Sequence, residues 1–208
     1  AGVRIVAPGT FFTEHRVVTD ELVEKLKSAE SVAPLHIPPI LEEIEAARSA
    51  LPHTTLIGTS DSAFHTTIPL YLRKYSLDGA SEQGIERFGY HGLSVASVSR
   101  RLDTVFSGVP ENTMVLHVGN GVSITALKNG KSADTSMGYT PASGLFMGSR
   151  AGDMDPGALI AMLDSEGLSG SDAQEYIQKQ GGFIGLTGVS DIRTVLDKES
   201  QKDVEAQN

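Results

Sequence analysis

Residues 116–138, with the sequence LHVGNGVSITALKNGKSADTSMG, constrain the fold more than any other part of the chain. Short runs of β-branched and apolar residues are separated there by Gly119-Asn120-Gly121 and by Asn129-Gly130. Asn-Gly is a preferred two-residue connection of a β-hairpin, because both residues of that turn need a positive φ. Residues 114–138 are therefore predicted to form two or three antiparallel strands with glycine-containing turns.

Strand and helix signals alternate along the rest of the chain. The β-branched run at 3–7, stopped by Pro8-Gly9, and the run at 54–60, which leads into Asp61, predict strands. Apolar spacing, prolines and capping residues predict helices at 20–30, at 38–52, from a Ser94 cap through 105, from Asp155-Pro156 to about Leu163, near 171–180 and beyond Ser190. This alternation indicates an α/β fold.

Composition limits the classes of function. The 208 residues are 39% hydrophobic and 21% charged, which is enough for a buried core. The formal net charge of −9 has no Lys/Arg block to offset it, so neither nucleic acid nor an anionic membrane is an expected partner. No run of 18 apolar residues predicts a membrane span, and the absence of cysteine is compatible with a reducing cytoplasm. Since the overall charge is negative, any anionic ligand must be bound by groups in its own site and not by the net charge of the chain.

The Gly119-Asn120-Gly121 turn is the first candidate site. A glycine-rich turn between strands can direct several backbone N–H groups into one concavity that binds phosphate oxygens. The alternative is a tight turn that needs glycine only for a positive φ. Both interpretations stay open from the tripeptide alone.

A second candidate is the segment GLFMGSRAGDMDPG at 144–157. Arg150 stands in a glycine-flanked loop before a predicted helix start, where a guanidinium and free N–H groups could hold an anion. Asp153 could bind a cation. The simpler interpretation makes Arg150 a solvated loop residue, Asp153 a surface carboxylate and Asp155 a helix N-cap.

Asp61, at the carboxyl end of a predicted strand, is the third candidate, since α/β folds often place their chemistry there. It could orient or deprotonate a nucleophile or hold Mg²⁺ through water, or it could only cap the following turn. His65, four residues on, is interpreted as structural.

The six histidines do not indicate zinc, because no pair has the i, i+4 spacing of a helical metal site. His91, in RFGYHGLS, lies beside glycines just before a predicted helix. A ligand could approach it closely, although a partly buried histidine with satisfied hydrogen bonds is an equal alternative.

Taken together, these segments resemble the acetate kinase family, the acetokinases that include propionate and butyrate kinases. The resemblance is collinear through nearly the whole chain and is most specific at 116–156. The matching segments are APLHIPP, SDSAFHTTIP, RFGYHGLS, LHVGNGVSITALKNGKSADTSMGYTP, GLFMGSRAGDMDPG and GFIGLTGVSDIR. It implies the α/β, ribonuclease-H-like fold of the superfamily of acetate and sugar kinases, heat-shock ATPases and actin, here incomplete at both ends.

The resemblance implies reversible, Mg²⁺-dependent phosphoryl transfer between ATP and a short-chain carboxylate, acetate first, giving an acyl phosphate and ADP. Such catalysis depends mainly on in-line positioning and positive charge. In this scheme Arg4 and Arg150 hold the carboxylate and the phosphoryl group, and His91 donates a hydrogen bond in the transition state. Asp61 positions the nucleophile or a metal-bound water. His36 and Pro39, with the APLH segment, line the acyl pocket.

On the nucleotide side, the resemblance implies two groups of binding residues. One is His117 with the turn at Gly119, Asn120 and Gly121; the other is Asp191, Ile192 and Arg193, with isoleucine where the family has an aromatic residue. The turn and Arg150 are expected to meet on the same phosphate oxygens, in a cleft that Asp61 also reaches.

Several departures accompany the resemblance. Family members are about twice as long, with an N-terminal phosphate loop and a C-terminal adenosine loop and metal-binding glutamate that have no counterpart in this sequence, so the metal ligands stay unknown. The chain is thus expected to be an internal piece or a shortened relative. Val3, Ala7, Ile37, Leu93 and Val95 replace residues usual in the family.

Two functional hypotheses follow. One is an acyl kinase; the other is a non-catalytic anion-binding or dimerising fragment without the two nucleotide loops. Residues 1–65 are expected to be the remainder of a first ribonuclease-H-like domain, and 66–208 the leading half of the second. The resemblance further implies a homodimer in the cytoplasm.

Overall fold

The computed structural model describes residues 1–34, 36–202 and 204–207. The chain forms two compact units, one made of residues 1–117 and 124–140 and the other of residues 118–123 and 141–208. The predicted domains, 1–65 and 66–208, divide the chain elsewhere and stay a prediction. In the part of the chain that is described, no helix combines the length and apolar character needed to cross a bilayer.

The first unit begins with a small mixed sheet of three strands in the order β1-β3-β2. The strands are β1 (Gly2–Ile5), β2 (Arg16–Val17) and β3 (Ile57–Ser60). β1 runs parallel to β3, with Arg4 opposite Thr59, and β2 runs antiparallel to it. The parallel register brings the carboxyl ends of β1 and β3 to the same edge of the sheet. Two of these strands were predicted, with boundaries that differ by a few residues.

Two amphipathic helices pack in the same unit: α1 (Asp20–Ser28) and α2 (Ile37–Ala50). The Thr19 hydroxyl caps α1 by accepting a hydrogen bond from the Leu22 amide at 3.2 Å. Prolines occupy the first turn of α2, where a missing N–H has no intrahelical partner to lose. Both predicted helices are confirmed. Their buried faces consist of Leu22, Leu26, Ile37, Ile40 and Ile44.

The stretch after β3, which the sequence left irregular, contains a short 3-10 helix, Ala63–Thr67, and helix α3 (Leu70–Arg73) before α4 (Gly92–Phe106). The prediction that Ser94 caps α4 is wrong, because His91 is the N-cap, with φ 60° and ψ 17°. The amides of His91 and Gly92 donate instead to the carboxylate and the carbonyl of Asp61. With those two amides satisfied, the helix begins two residues before the serine.

The predicted hairpin region forms a second sheet in the order β4-β5-β6. Its strands are β4 (Asn112–Val118), β5 (Val122–Lys128) and β6 (Lys131–Thr135). Asn129 and Gly130 have φ values of 50° and 73°, as the two-residue turn between β5 and β6 requires. Val95 and Leu102 of α4 pack with Val115 and Leu127 of the sheet in one hydrophobic cluster. β5 and β6 pair antiparallel, which confirms the prediction for these two strands.

The second unit includes the end of β4 and the start of β5 within residues 118–123, and helices form in its described residues beyond 140. Its helices are α5 (Pro156–Glu166), α6 (Gly170–Lys179), α7 (Gly182–Thr187), α8 (Ile192–Ser200) and α9 (Val204–Gln207). Asp155 caps α5 as predicted, and Ser169 caps α6 in a reciprocal capping box with Asp172. α5, α6 and α8 match the predicted helices. α7 was not predicted, because its glycines are typical of a loop.

Candidate active site

Asp61 directly follows β3, and its side chain is buried. Its carboxylate accepts hydrogen bonds from Arg4 Nε at 3.2 Å and Arg4 Nη2 at 2.9 Å. The backbone amide of His91 donates to the same carboxylate at 2.7 Å. The ion pair joins a carboxylate side chain that is 2% exposed to an arginine side chain that is 56% exposed. Asp61 therefore holds both the Arg4 guanidinium and the start of α4.

The ionisation of Asp61 follows from this environment. Burial raises the pKa of the carboxyl group, but the hydrogen bonds and charge of Arg4, together with the His91 amide, outweigh it and hold the pKa below its ordinary value. Asp61 is therefore a carboxylate at neutral pH. Because its two oxygens already accept hydrogen bonds, the arrangement favours an orienting role over proton abstraction. The sequence also left open that Asp61 caps the turn directly after it, but the carboxylate instead accepts from the His91 amide at the start of α4, and the 3-10 helix that follows Asp61 has no side-chain cap.

His91 and His117 form a stacked pair of imidazole rings, with centroids 3.9 Å apart and an interplanar angle of 22°. His91 comes from the start of α4 and His117 from β4. The hydroxyl of Ser94 lies 3.0 Å from Nδ1 of His117. Through the His91 amide, this ring pair is connected to Asp61 and Arg4. Four of the predicted site residues thus form one cluster in the first unit.

His65, interpreted from the sequence as structural, is fully buried. Its Nε2 lies 2.9 Å from the carbonyl oxygen of Tyr90, and its Nδ1 lies 2.9 Å from the hydroxyl of Ser132. A carbonyl oxygen can only accept, so Nε2 carries the proton and Nδ1 accepts from Ser132. Burial lowers the pKa of this imidazole. His65 thereby anchors the backbone next to His91.

The predicted acyl-pocket residues lie at the start of α2. His36 is the N-cap of this helix and Pro39 belongs to its first turn. Leu35, which belongs to the same predicted segment, lies outside the described residues. These positions are on a different element from the Arg4 and Asp61 cluster, so the acyl pocket stays a prediction.

Two residues beside the cluster were not identified from the sequence. Nδ1 of His15 accepts a hydrogen bond at 3.1 Å from the amide of Ser60, the residue before Asp61. Ser94 was interpreted only as a helix cap. Both contacts join segments far apart in the chain, 45 residues for His15 and 23 for Ser94. No local pattern could have indicated them.

In the second unit, Arg150 belongs to a loop that is bonded to the α6–α7 connection. Its Nη1 donates to the carbonyl of Pro141 at 3.1 Å. Backbone hydrogen bonds join residues 147–151 to residues 177–184. Gly181 and Gly182 allow this contact, because a Cβ atom at either position would collide with the loop backbone. The Arg150 loop is therefore fixed by its neighbours in the same unit.

The expected anion site at the start of α5 is wrong in one respect. The amides of Gly157 and Ala158 donate to the Asp155 carboxylate at 2.7 and 3.2 Å, so a negative charge already occupies that helix end. The Asp153 carboxylate accepts from the Gly144 amide at 2.7 Å, which closes the loop. The simpler interpretation describes Asp155, which is the helix N-cap, but not Asp153, whose carboxylate binds the loop backbone where an unpaired surface carboxylate was expected.

The Gly119-Asn120-Gly121 turn is closed on itself, since the Gly119 amide donates to the Gly121 carbonyl at 3.0 Å. The described backbone gives neither glycine a positive φ, so the tight-turn interpretation fails on that point. The Gly119 amide is therefore not free, so the turn has one N–H group fewer for phosphate than was expected. Oδ1 of Asn120 and the carbonyl of Ser190 lie 3.0 and 3.1 Å from where a Cβ atom of Gly148 would be.

That contact brings two predicted nucleotide-binding segments together within the second unit. Ser190 precedes Asp191, the N-cap of α8, which accepts a hydrogen bond from the Arg193 amide. The Arg193 guanidinium donates twice to Asp191, at 3.1 and 2.8 Å, and both side chains are largely exposed. The hydrogen bonds from Arg193 lower the pKa of Asp191. Ile192 begins α8 and is itself exposed.

Among the described residues of this chain, no cluster of three or more His, Asp or Glu side chains could hold a metal ion. The donor set around Asp61 does not fit a directly bound cation either, since Arg4 and the His91 amide engage its oxygens.

Three comparisons identify the relatives of this chain. The sequence profile of the Acetokinase family matches residues 1–208. An acetate kinase from Parabacteroides distasonis is 40% identical over 200 residues, which cover 93% of this chain and 50% of that protein. The crystal structure of Porphyromonas gingivalis acetate kinase aligns with a TM-score of 0.84 at 36% identity, covering 99% of this chain and 53% of its own.

A propionate kinase structure from Francisella tularensis aligns with a TM-score of 0.90 at 34% identity, over 98% of this chain and 54% of that one. The expected ribonuclease-H-like α/β fold is thereby confirmed. The chain spans about half the length of the curated relatives it matches. The collinear motifs, the profile match and the shared fold agree, and the chain belongs to the acetokinase family.

Proposed function

We propose that this chain carries part of the active site of a kinase that transfers a phosphoryl group between ATP and a short-chain carboxylate, acetate first, to give an acyl phosphate and ADP. The observation that carries the proposal is the connected cluster of Arg4, Asp61, His91 and His117. Membership of the acetokinase family supports the same reaction class. The alternative of a non-catalytic fragment is not favoured, because the relatives are acetate and propionate kinases.

The roles of the residues follow from the charge of the reaction. A carboxylate is ionised at neutral pH and is already a nucleophile, so the site needs no strong general base. The transferred phosphoryl group spreads negative charge over its equatorial oxygens. Arg4, held by the Asp61 carboxylate but still 56% exposed, is oriented to bind an anionic group. His91 would add a hydrogen bond in the transition state.

On the nucleotide side, ATP supplies the phosphoryl group when it is bound. Asn120, Gly148 and Ser190 meet closely in the second unit, and the family resemblance implies that the turn at Asn120 binds phosphate. Arg150, in the loop two residues after Gly148, would supply positive charge. Residues 191–193 would lie near the nucleotide. Mg²⁺, a homodimer, a cytoplasmic location and the domain assignment are predictions from the family resemblance.

The test incubates the 208-residue chain with ATP, Mg²⁺ and acetate in the presence of hydroxylamine, which displaces phosphate from the acyl phosphate and gives a measurable acyl hydroxamate. We expect Arg4→Ala to reduce the rate by about 100-fold or more, because it removes a preorganised positive charge. Arg4→Lys should recover only part of the rate, since a lysine lacks the bidentate geometry. Arg16→Ala, which removes an arginine from β2 at the other edge of the same sheet, is the matched control and should leave the rate nearly unchanged.

Two results would contradict the proposal. No acyl hydroxamate from the folded wild-type chain would refute the activity for this chain, and equal rates for Arg4→Ala and Arg16→Ala would refute the role of Arg4. The acid series from formate to butyrate tests the substrate. A rate for butyrate that equals or exceeds the rate for acetate would overturn the assignment of acetate.

A further inference from the structure

Ser94 lies in the first turn of α4, but it does not cap that helix. The helix start is satisfied by Asp61, which accepts hydrogen bonds from the amides of His91 and Gly92. The Ser94 hydroxyl instead lies 3.0 Å from Nδ1 of His117 on β4. The Ser94 hydroxyl therefore interacts with the His117 ring and not with the backbone of the helix start.

The two stacked imidazole rings are held from different sides. His91 is fixed through its backbone, by the Asp61 carboxylate at 2.7 Å and by the left-handed N-cap conformation. His117 comes from a strand, and its ring is bound to the Ser94 hydroxyl. A serine hydroxyl can donate or accept, so this contact decides which ring nitrogen of neutral His117 carries the proton.

The surroundings favour one direction. Nδ1 of His117 is bound in the first turn of α4, where the helix carries a partial positive charge. At this position an unprotonated Nδ1, which has a lone pair, is more favourable than a protonated Nδ1–H. With the Ser94 hydroxyl donating to Nδ1, the ring proton lies on Nε2, and Nε2–H can donate to an anion.

We propose that Ser94 is a positioning residue whose hydroxyl donates to Nδ1 of His117, holds that ring against His91 and keeps its proton on Nε2. The consequence for phosphoryl transfer rests on the proposed function: Nε2–H of His117 is then a fixed donor to the transferred group. Ser94 acts only through His117 and does not itself contact the reacting atoms.

The direct test is the tautomer of His117, read from long-range ¹H–¹⁵N correlations of the 208-residue chain at a pH well above the ordinary imidazole pKa of about 6.5. A His117→Asn variant assigns the signal. We expect the wild type to show the Nε2–H form alone and Ser94→Ala to show a mixture of both forms. Ser94→Thr should retain the wild-type pattern, because it keeps the hydroxyl.

Ser99→Ala is the matched control. Ser99 lies on the same helix and its hydroxyl donates to the carbonyl of Gly130 at 2.9 Å, away from the ring pair. Its replacement removes one hydrogen bond of α4 and should leave the His117 tautomer unchanged. Circular dichroism checks that each variant is folded. Proton on Nδ1 in the wild type, or the same tautomer pattern in Ser94→Ala, would overturn the proposal.

The catalytic consequence has a separate readout. Groups that orient metal-bound imidazoles matter by about 10-fold to 100-fold. By analogy, Ser94→Ala should lower kcat by about that factor with little change in KM. Ser94→Thr should restore kcat. An altered tautomer with unchanged kcat would refute the catalytic consequence. A wild-type chain without activity would refute the proposed function for this chain, while the tautomer measurement would still decide the role of Ser94.

Discussion

At the scale of single residues, Asp61 combines burial with full ionisation. The Arg4 guanidinium and the His91 amide compensate the loss of water around the carboxylate, and the pKa stays below its ordinary value. A carboxyl group with a lowered pKa in the folded state binds protons less readily than in the unfolded chain. The stability that it contributes is therefore present above the unfolded pKa, about 3.9, and is lost as the pH falls through the folded pKa.

This linkage predicts the effect of Asp61→Asn. At neutral pH the variant should lose about 2 kcal/mol of unfolding free energy, since an amide cannot accept all the hydrogen bonds of the carboxylate. The difference from wild type should shrink as the pH falls below about 4. Urea unfolding at a series of pH values measures it. Asp78→Asn, at an exposed loop position, is the control and should follow the wild type.

A constant difference between Asp61→Asn and wild type down to the lowest pH would contradict this interpretation. It would mean that the ionised form of Asp61 contributes no more to the stability of the fold than the protonated form does. Activity should fall as well, because a neutral amide with one acceptor oxygen cannot hold both the Arg4 guanidinium and the His91 amide as the carboxylate does.

At the scale of elements, the close contact between the Arg150 loop and the start of α7 depends on glycine. Gly182 has a φ of 62°, and a Cβ atom there would collide with the Met147 carbonyl. The amides of Phe183 and Ile184 donate to the carbonyls of Met147 and Gly148 at 2.9 and 3.0 Å. A side chain at Gly182 would therefore separate the loop from the helix that holds it.

Gly182→Ala should lower the unfolding free energy by about 2 kcal/mol or more. The backbone strain of alanine at a positive φ and the collision of its Cβ atom both destabilise the folded state. Gly170→Ala is the matched control. Gly170 is the first residue of α6 and has open space around it, so alanine there should be neutral or slightly stabilising. Urea unfolding of the two variants compares them. Equal midpoints would show that the loop contact is not as tight as described.

The elements also show what local sequence can predict. Asn129-Gly130 carries its own backbone requirement, so the turn between β5 and β6 was predicted correctly. Ser94 carries a strong preference for N-caps, but Asp61, 30 residues earlier in the chain than His91, satisfies the helix start and overrides that preference. α7 escaped prediction because its glycines serve a tertiary contact, which a local pattern does not reveal.

At the scale of the whole molecule, the family and its fold could be predicted from the order of the motifs, and both are confirmed. Four predicted site residues in the first unit do form one cluster. The pair of Arg4 and Asp61 is 57 residues apart in sequence, so its geometry needed the fold. The meeting of Arg150 and the glycine turn on one phosphate, in a cleft shared with Asp61, stays a prediction.

The second unit also leaves apolar surface exposed. α5 has a largely apolar sequence, yet it has no buried residue, and Ile160 on it is 59% exposed. Exposed apolar surface of this kind promotes association in solution. The surface could not be predicted from the sequence of α5, which is typical of a buried helix.

Ile160→Lys should therefore raise the highest concentration at which the chain is still monomeric. Its unfolding free energy should stay within about 0.5 kcal/mol of the wild-type value. Ala161→Lys adds the same charge at a small exposed position of the same helix and is the control. Sedimentation velocity at several concentrations measures the monomer fraction. An equal effect of both substitutions would assign the change to charge and not to the apolar surface.

The backbone of His91 decides how variants at that position should be chosen. With φ at 60°, this residue has a conformation that asparagine and glycine adopt readily and that alanine adopts only with strain. Replacing His91 by alanine would thus remove the ring and disturb the turn that carries it. Asparagine keeps the turn, so the loss measured for His91→Asn is the quantity that belongs to the imidazole itself.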